Sequence, residues 1–201
     1  MSMLFALTPE AAPSAADETR QRTVTREHAL IDAIRAGDER LADDVYAALL
    51  PVVDAALGRV LGPSCSRHEW LSQRSIEQTI AAISRHPSPW VCKLEAWATA
   101  SSARLALEAL RERGRSRGAG VPVDAMAQVS SAGRAAAAPG SAIDRLRWLL
   151  TELPPQQAEA VVLCDVMALA PTEVAVILGV GLEHVQRLVT AGHERLARAL
   201  C

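Results

Sequence analysis

Apolar residues recur along most of this chain at the three- and four-residue spacing that places them on one face of an α-helix. The segments that carry this spacing, strongly or weakly, are residues 26–37, 38–62, 66–86, 93–114, 141–154, 155–169 and 171–200. Alanine is abundant and aromatic residues make up only 3% of the chain, which favours helix over sheet. The pattern therefore predicts an all-α protein.

Residues 114–141 interrupt this pattern with a stretch rich in Gly, Ser, Ala and Arg and without a sustained helical period. We interpret the stretch as a flexible linker between two small helical domains, residues 25–113 and residues 142–201. Its 28 residues span at most about 95 Å when fully extended. The first 24 residues are predicted to be a disordered N-terminal extension.

The last segment, "PTEVAVILGVGLEHVQRLVTAGHERLARAL", predicts a helix-turn-helix in the C-terminal domain. Gly179 stands where such a tight turn needs a positive φ, and Ala175 is small where the two helices approach each other. The apolar residues expected to fill the angle between the helices are Val180, Val185 and Leu188. These five positions at fixed offsets thus agree with the motif.

The charge distribution argues against a protein that binds DNA unaided. The formal net charge is −2, and residues 142–201 hold 5 basic and 7 acidic side chains. A free-standing nucleic-acid binder usually has a basic footprint, because neutralising phosphates supplies most of its non-specific affinity. Any DNA contact by this chain is therefore expected to need a partner.

Catalytic and metal-binding patterns were not found in the sequence. Its cysteines, Cys65, Cys92, Cys164 and Cys201, stand singly, without the close pairs of a zinc site, and we predict no metal and no disulfide. There is no nucleophile elbow and no phosphate-binding glycine loop, and the five histidines lie apart. We predict a protein that is not an enzyme and has no cofactor and no small-molecule substrate.

Membrane insertion is not expected either. The apolar run near residue 4 is too short for the hydrophobic region of a signal peptide. No other run approaches the roughly 18 apolar residues of a membrane span. The sequence therefore predicts a cytoplasmic protein without a membrane partner.

Residues 153–196, "LPPQQAEAVVLCDVMALAPTEVAVILGVGLEHVQRLVTAGHERL", resemble region 4 of bacterial sigma factors of the extracytoplasmic-function type. The shared features are a Leu-Pro-Pro run, a Gln- and Glu-containing helix, an Asp, and a helix-turn-helix with "A-x-x-L-G-V". Residues 26–113 resemble region 2 of the same family through "AGD" after the first helix and an Ala-Trp pair before a Leu-Ala-Leu helix. In that minimal class a linker alone joins the two regions.

The resemblance implies a sigma factor that binds core RNA polymerase and directs promoter-specific transcription initiation, with an anti-sigma factor as a further candidate partner. It assigns the upstream promoter element to His184, Gln186, Arg187 and Thr190 on the recognition helix. It assigns the downstream element to Trp97, Arg104 and Arg111. It assigns polymerase binding to Glu69, Trp70, Gln73 and Arg74.

Departures from the family pattern support an alternative function. The recognition helix has lost most of the family's basic residues, leaving Arg187 as the permanent charge on the part expected to enter the groove. Trp70 and Arg74 replace the Asp and Glu of the polymerase-binding pattern, and Trp70 fits a core position equally well. The alternative is a sigma-like adaptor that binds a protein partner and has lost most DNA contact.

Overall fold

The computed structural model describes residues 15–62, 65–118 and 142–200 of the 201-residue chain, with side chains from residues 23–62, 65–115 and 142–200. Within these ranges the backbone forms eight α-helices and no β-strand, which confirms the all-α prediction. The helices are α1 (Ala15–Ala36), α2 (Ala42–Leu61), α3 (His68–Arg85), α4 (Leu94–Gly118), α5 (Ala142–Glu152), α6 (Pro155–Val161), α7 (Pro171–Leu178) and α8 (Leu182–Leu200).

Two predicted boundaries differ from the structure. Helix α1 begins at Ala15, inside the segment predicted to be a disordered extension. Helix α4 continues to Gly118, five residues into the predicted linker. Both extensions lie in sequence without an amphipathic stripe, and the end of α4 includes the poor helix formers Gly114 and Gly118, so the sequence predicted neither boundary. The rest of the predicted extension and linker, residues 1–14 and 119–141, lies outside the described residues.

Helix α4 occupies the centre of the fold. It packs against α2 and α3 on one side and against α5, α6 and α7 on the other. Its buried residues are mostly small, including Ala98, Ala103 and Ala106, each fully buried. Small side chains allow neighbouring helices to approach a central helix from several directions at once.

The two predicted helical blocks share one hydrophobic cluster. The cluster includes Leu49, Leu57 and Leu107 from the first block and Val162 and Val185 from the second. Apolar residues of the two blocks thus pack against each other and shield each other from water. The prediction of two domains joined by a flexible linker remains a prediction.

After α6 the chain makes one π-helical turn, Val162–Val166. Ala168 follows with a φ of +57°, in the left-handed region that residues with a side chain seldom adopt. Pro171 then occupies the first turn of α7, where its missing N–H costs no hydrogen bond. In the described parts of the chain, no single helix is long and apolar enough to span a membrane, although α7 and α8 reach that length and composition together across a bend of 105°.

Candidate functional site

Helices α7 and α8 and the turn between them form the first candidate site. Gly179 ends α7 with a φ of +65°, which confirms the predicted positive φ at this turn. The two helices are bent by 105° relative to each other. Val185 is fully buried between them and Ala175 is also buried, as predicted for the residues that hold this angle.

The outward face of α8 carries the residues predicted to read the upstream element. Gln186, Arg187 and Thr190 are exposed, while His184 is half-buried. Their spacing places Gln186 and Thr190 one turn apart on the same face, with Arg187 beside them. The structure therefore leaves Gln186, Arg187 and Thr190 on one accessible surface, whereas His184 is half-buried on the other side of Arg187.

The electrostatics of this face are nearly balanced. The Nη1 of Arg187 lies 3.9 Å from the Oε2 of Glu183, one turn earlier on the helix. The Nη2 of Arg187 also lies 3.4 Å from the Nδ1 of His184. Because both members of the Arg187 and Glu183 pair are mostly exposed, solvent screens their attraction and the guanidinium can leave it at small cost.

The inner side of α8 is fixed against α6 and the π-helical turn. A methyl group at Gly192 would lie 2.6 Å from the Cγ2 of Val161, so only glycine allows the two helices to pack this closely. The Nε2 of His193 lies 2.6 Å from the Oδ2 of Asp165. His193, on the same helix, is therefore engaged with the π-helical turn.

The second candidate site is the exposed face of α3. Glu69, Trp70, Gln73 and Arg74, the residues predicted to bind polymerase, are all exposed on it. Trp70 is 54% exposed, so it is a surface residue and the core interpretation of this tryptophan is wrong. The guanidinium of Arg67 stacks on its ring, 5.0 Å from the centroid.

A surface cleft of about 580 Å³ lies beside this face. Trp70, Gln73 and Arg74 line one side of it, and Leu105 and Glu108 of α4 contribute the other. The walls hold an aromatic ring, an apolar side chain, amides and charges of both signs. Aromatic residues and Arg are the types enriched in protein interfaces. We call this the Trp70 cleft.

The residues predicted to contact the downstream element do not form one surface. Trp97 is only 3% exposed, its Nε1 donates a hydrogen bond to the carbonyl of Pro89 at 3.0 Å, and its ring packs 5.0 Å from that of His86. Trp97 is therefore a core residue, and the structure does not support its assignment to DNA. Arg111 is half-buried, with a buried Nη2 that has no hydrogen-bond partner.

Arg104 is exposed but occupied. Its Nε and Nη2 donate hydrogen bonds to the Oε1 of Glu159 on α6, at 2.9 and 2.7 Å. No local pattern in the sequence indicated this partner, because the two residues lie 55 positions apart. An ion pair thus joins a predicted DNA contact to the other helical block.

Trp90 is a candidate that the sequence analysis missed. It lies in the 3₁₀ turn Pro89–Val91 before α4 and is 40% exposed. Its Nε1 donates a hydrogen bond to the Oδ1 of Asp32 at 3.1 Å, and the guanidinium of Arg35 lies 4.8 Å from its ring centroid. The prolines at 87 and 89 are the signal in the sequence, because they force a turn that holds the next side chain outside the helices.

A cleft of about 610 Å³ between α2, the start of α4 and residues 167–169 has no clear ligand chemistry. The cations Arg59 and Lys93 on its rim are offset by Glu95 and Glu173. Among the side chains that the structure describes, no group of three or more His, Cys, Asp or Glu residues is arranged to hold a metal ion. This cleft therefore adds no binding site to the two surfaces above.

Comparison with known proteins adds no family assignment. No protein-family model matches the chain, and no curated protein sequence is significantly similar to it.

Proposed function

We propose that this chain is a divergent sigma factor that binds core RNA polymerase and directs transcription from a narrow set of promoters. The observation that carries the proposal is the pair α7 and α8, bent by 105° with exposed polar residues along the outer face of α8. This is the arrangement in which a helix-turn-helix presents its second helix to the major groove. The order of the two sigma-like blocks in the sequence adds to it.

In the proposal, α8 reads the upstream promoter element. Gln186 pairs bidentately with adenine through N6 and N7, and Arg187 pairs with guanine or a phosphate. Thr190 and His184 donate or accept single hydrogen bonds beside them. Arg187 exchanges its weak, exposed pairing with Glu183 for the DNA, which costs little.

The low positive charge is consistent with this role if polymerase holds the chain on the promoter. Two weak DNA contacts tethered to one enzyme raise each other's effective concentration, so neither needs high affinity alone. Phosphate neutralisation by the polymerase then replaces the basic footprint that this chain lacks.

The Trp70 cleft is the proposed docking surface for polymerase. Exposed tryptophans next to amide and charged side chains are typical of interface hot spots. Trp70 and Arg74 differ from the acidic residues of the family pattern, and in the proposal the indole supplies apolar contact area in place of the lost charges. An anti-sigma factor would compete for this same cleft.

Trp90 takes the place of Trp97 in the proposed contact with the downstream element. An exposed indole next to a guanidinium is a surface on which an unpaired base can stack, and such stacking contributes about 1–3 kcal/mol per base. The hydrogen bond from Trp90 to Asp32 holds the ring in one orientation. Arg104 and Arg111 remain candidates for the same strand.

The docking part of the proposal is tested by binding of the full chain to purified core polymerase. Trp70→Ala should weaken binding at least tenfold, as expected for a hot-spot residue that contributes more than about 1.4 kcal/mol. Trp148→Ala is the matched control, because Trp148 on α5 is 51% exposed but lies outside the cleft. If wild-type chain does not bind the polymerase at all, the sigma-factor proposal fails.

The DNA part is tested with the polymerase complex on promoter fragments selected from a genomic library. Changing Gln186 and Arg187 together to Ala should reduce promoter affinity at least about 30-fold, because each bidentate base contact is worth about 1–3 kcal/mol and the two together at least about 2 kcal/mol. Arg198→Ala, an exposed charge in the last turn of α8, is the control and should change affinity far less.

A second candidate function is the sigma-like adaptor that binds a protein partner with little DNA contact. It is favoured by the pairing of Arg104 with Glu159 and by the loss of basic residues from the predicted recognition helix. For an adaptor, the Trp70→Ala loss of binding would persist while the Gln186 and Arg187 variant kept its promoter affinity. The same two experiments therefore separate the candidates.

A further inference from the structure

The ion pair between Arg104 and Glu159 is one of several contacts that hold the two helical blocks together. Arg147 of α5 donates from its Nε to the carbonyl of Val60, in the last turn of α2, at 2.7 Å. The Sγ of Cys92, just before α4, lies 3.8 Å from the carbonyl of Glu173 on α7. These polar contacts surround the apolar cluster that the blocks share.

The two partners of the ion pair differ in burial. The Glu159 side chain is 15% exposed, whereas that of Arg104 is 49% exposed. Packing of the two helical blocks against each other, which we call closure, therefore withdraws the Glu159 carboxylate from water and supplies the Arg104 guanidinium as its counter-charge. If Arg104 leaves, a largely buried carboxylate remains without its cation. Separation of the two blocks, which admits water to this carboxylate, then becomes more favourable.

The contact of Arg147 also joins the two blocks, because the Arg147 guanidinium donates to a carbonyl at the end of α2. The last carbonyls of a helix lack partners within the helix and carry partial negative charge, which a guanidinium satisfies. Gly62, with a φ of +80°, leaves room for it, since a methyl group there would lie 2.9 Å from the Nη2 of Arg147. When the blocks are packed together, the end of α2 thus accommodates the Arg147 guanidinium.

We propose that the chain alternates between this closed state and an open one, and that Glu159 acts in the closed state as an internal substitute for DNA phosphate at Arg104. A carboxylate that accepts two hydrogen bonds from a guanidinium makes the contact that a phosphate oxygen would make. DNA and Glu159 then compete for one side chain. The competition with DNA rests on the proposed function, whereas closure through the ion pair does not.

Competition of this kind lowers the apparent DNA affinity of the isolated chain. Only molecules with Arg104 released bind through it, so the apparent association constant is the intrinsic constant multiplied by the open fraction. A partner that binds the open state, such as polymerase, would release Arg104. The closed state would thereby restrict the Arg104 contact with DNA to the assembled complex, while the outer face of α8 stays accessible in both states.

Cys92 provides a native probe of closure. Its thiol is 3% exposed and faces the Glu173 carbonyl across the block interface, so a thiol-alkylating reagent reaches it when the blocks separate. The alkylation rate of Cys92, followed by mass spectrometry of its peptide, then tracks the open fraction. Arg104→Ala should raise this rate about tenfold, because it removes the counter-charge of a largely buried carboxylate.

Arg67→Ala is the matched control for this measurement. Arg67 also joins two helices, through a 3.0 Å pair with Glu112, but both partners belong to the first block. It should leave the Cys92 alkylation rate unchanged. Equal rates for wild type and Arg104→Ala would overturn the proposal of a closed state held by this ion pair.

A charge exchange tests the pair itself. Arg104→Glu should raise the alkylation rate further, and adding Glu159→Arg should return it toward the wild-type value, because opposite charges again face each other. A general loss of packing around α4 would not be rescued by the second substitution. Failure of the rescue would therefore assign the first effect to packing and overturn the ion-pair role.

Glu159→Gln tests the competition with DNA. It removes the internal anion while leaving Arg104 intact, so binding of the isolated chain to a random-sequence DNA duplex at low salt should strengthen about threefold to tenfold. If Cys92 alkylation rises and duplex affinity stays the same, closure is supported and the phosphate-substitute role is overturned. If polymerase binding also fails, the proposed function falls while the result on closure stands.

Discussion

Helices α4 and α8 were both predicted to contact DNA, but their predicted contact residues differ in exposure and in pairing. On α8 the residues Gln186, Arg187 and Thr190 stay exposed, and their nearest charged partner is on the same helix. On α4 Trp97 is buried and Arg104 is paired with another helix. The same kind of motif-based assignment thus led to accessible residues on one helix and to engaged residues on the other.

The difference follows from where each helix lies. Helix α8 packs along one side, mainly against α6 and α7, and leaves its polar side to solvent. Helix α4 has neighbours on most sides, so nearly every residue from Ala96 to Ala103 is buried. A motif identifies candidate side chains, and the packing of the helix that carries them decides which ones a ligand can reach.

The largest expected effect on this contrast is that of Trp97→Ala on stability. Removing a buried indole and its hydrogen bond to Pro89 should lower the free energy of unfolding by about 3–5 kcal/mol. The measurement is urea unfolding followed by circular dichroism. The exposed Trp148→Ala should cost less than about 1 kcal/mol. A small effect at Trp97 would mean that its ring is not held in the core and would return it to the DNA candidates.

The next effect concerns the inner side of α8. Gly192→Ala places a methyl group against the buried and stiff side chain of Val161, which should cost about 1–3 kcal/mol of stability. Gly114→Ala on α4 meets no atom within 4 Å and should gain up to about 1 kcal/mol from helix propensity. Thermal unfolding of both variants provides the comparison. Two stabilised variants would show that α8 does not sit this closely on α6.

A smaller effect is expected on the outer side of α8. Glu183→Gln removes the carboxylate beside Arg187, which repels phosphate and competes for the guanidinium. Promoter affinity of the polymerase complex should rise about twofold to fivefold, in keeping with an exposed pair worth about 0.2–1 kcal/mol. The increase should shrink as salt is raised. A loss of affinity would instead indicate that Glu183 accepts a hydrogen bond from cytosine.

The smallest effect is a pH dependence near the start of α4. Burial, and secondarily the charge of Glu173, raises the pKa of the Cys92 thiol above its ordinary value of 9.0. A raised folded-state pKa gives a contribution to stability that is complete below the unfolded value and is lost as pH rises through the folded value. Urea midpoints should therefore fall more in wild type than in Cys92→Ala as pH increases beyond 9.0. Parallel curves would contradict the burial of this thiol.

Much of the helical fold was predictable from the sequence. The apolar spacing predicted helices where α2, α3, α7 and α8 lie, and Gly179 predicted the turn between the last two. The starting point of α1 and the end of α4 were not predictable, because neither end has an apolar stripe and because α4 continues through Gly114, a residue type that usually marks the end of a helix. Local pattern fixes where a helix buries one face and says little about where its exposed end frays.

For the candidate sites too, the sequence predicted features that depend on local periodicity and did not predict those that depend on distant contacts. Exposure of Gln186 and Arg187 followed from the sequence, because an amphipathic surface helix turns its polar side to water. The burial of Trp97, the exposure of Trp70 and the pairing of Arg104 with Glu159 depended on contacts between residues far apart in the chain. Periodicity sets which face of a helix is apolar, but only the packed structure determines how many neighbours cover that helix and which distant charge meets its exposed side chains.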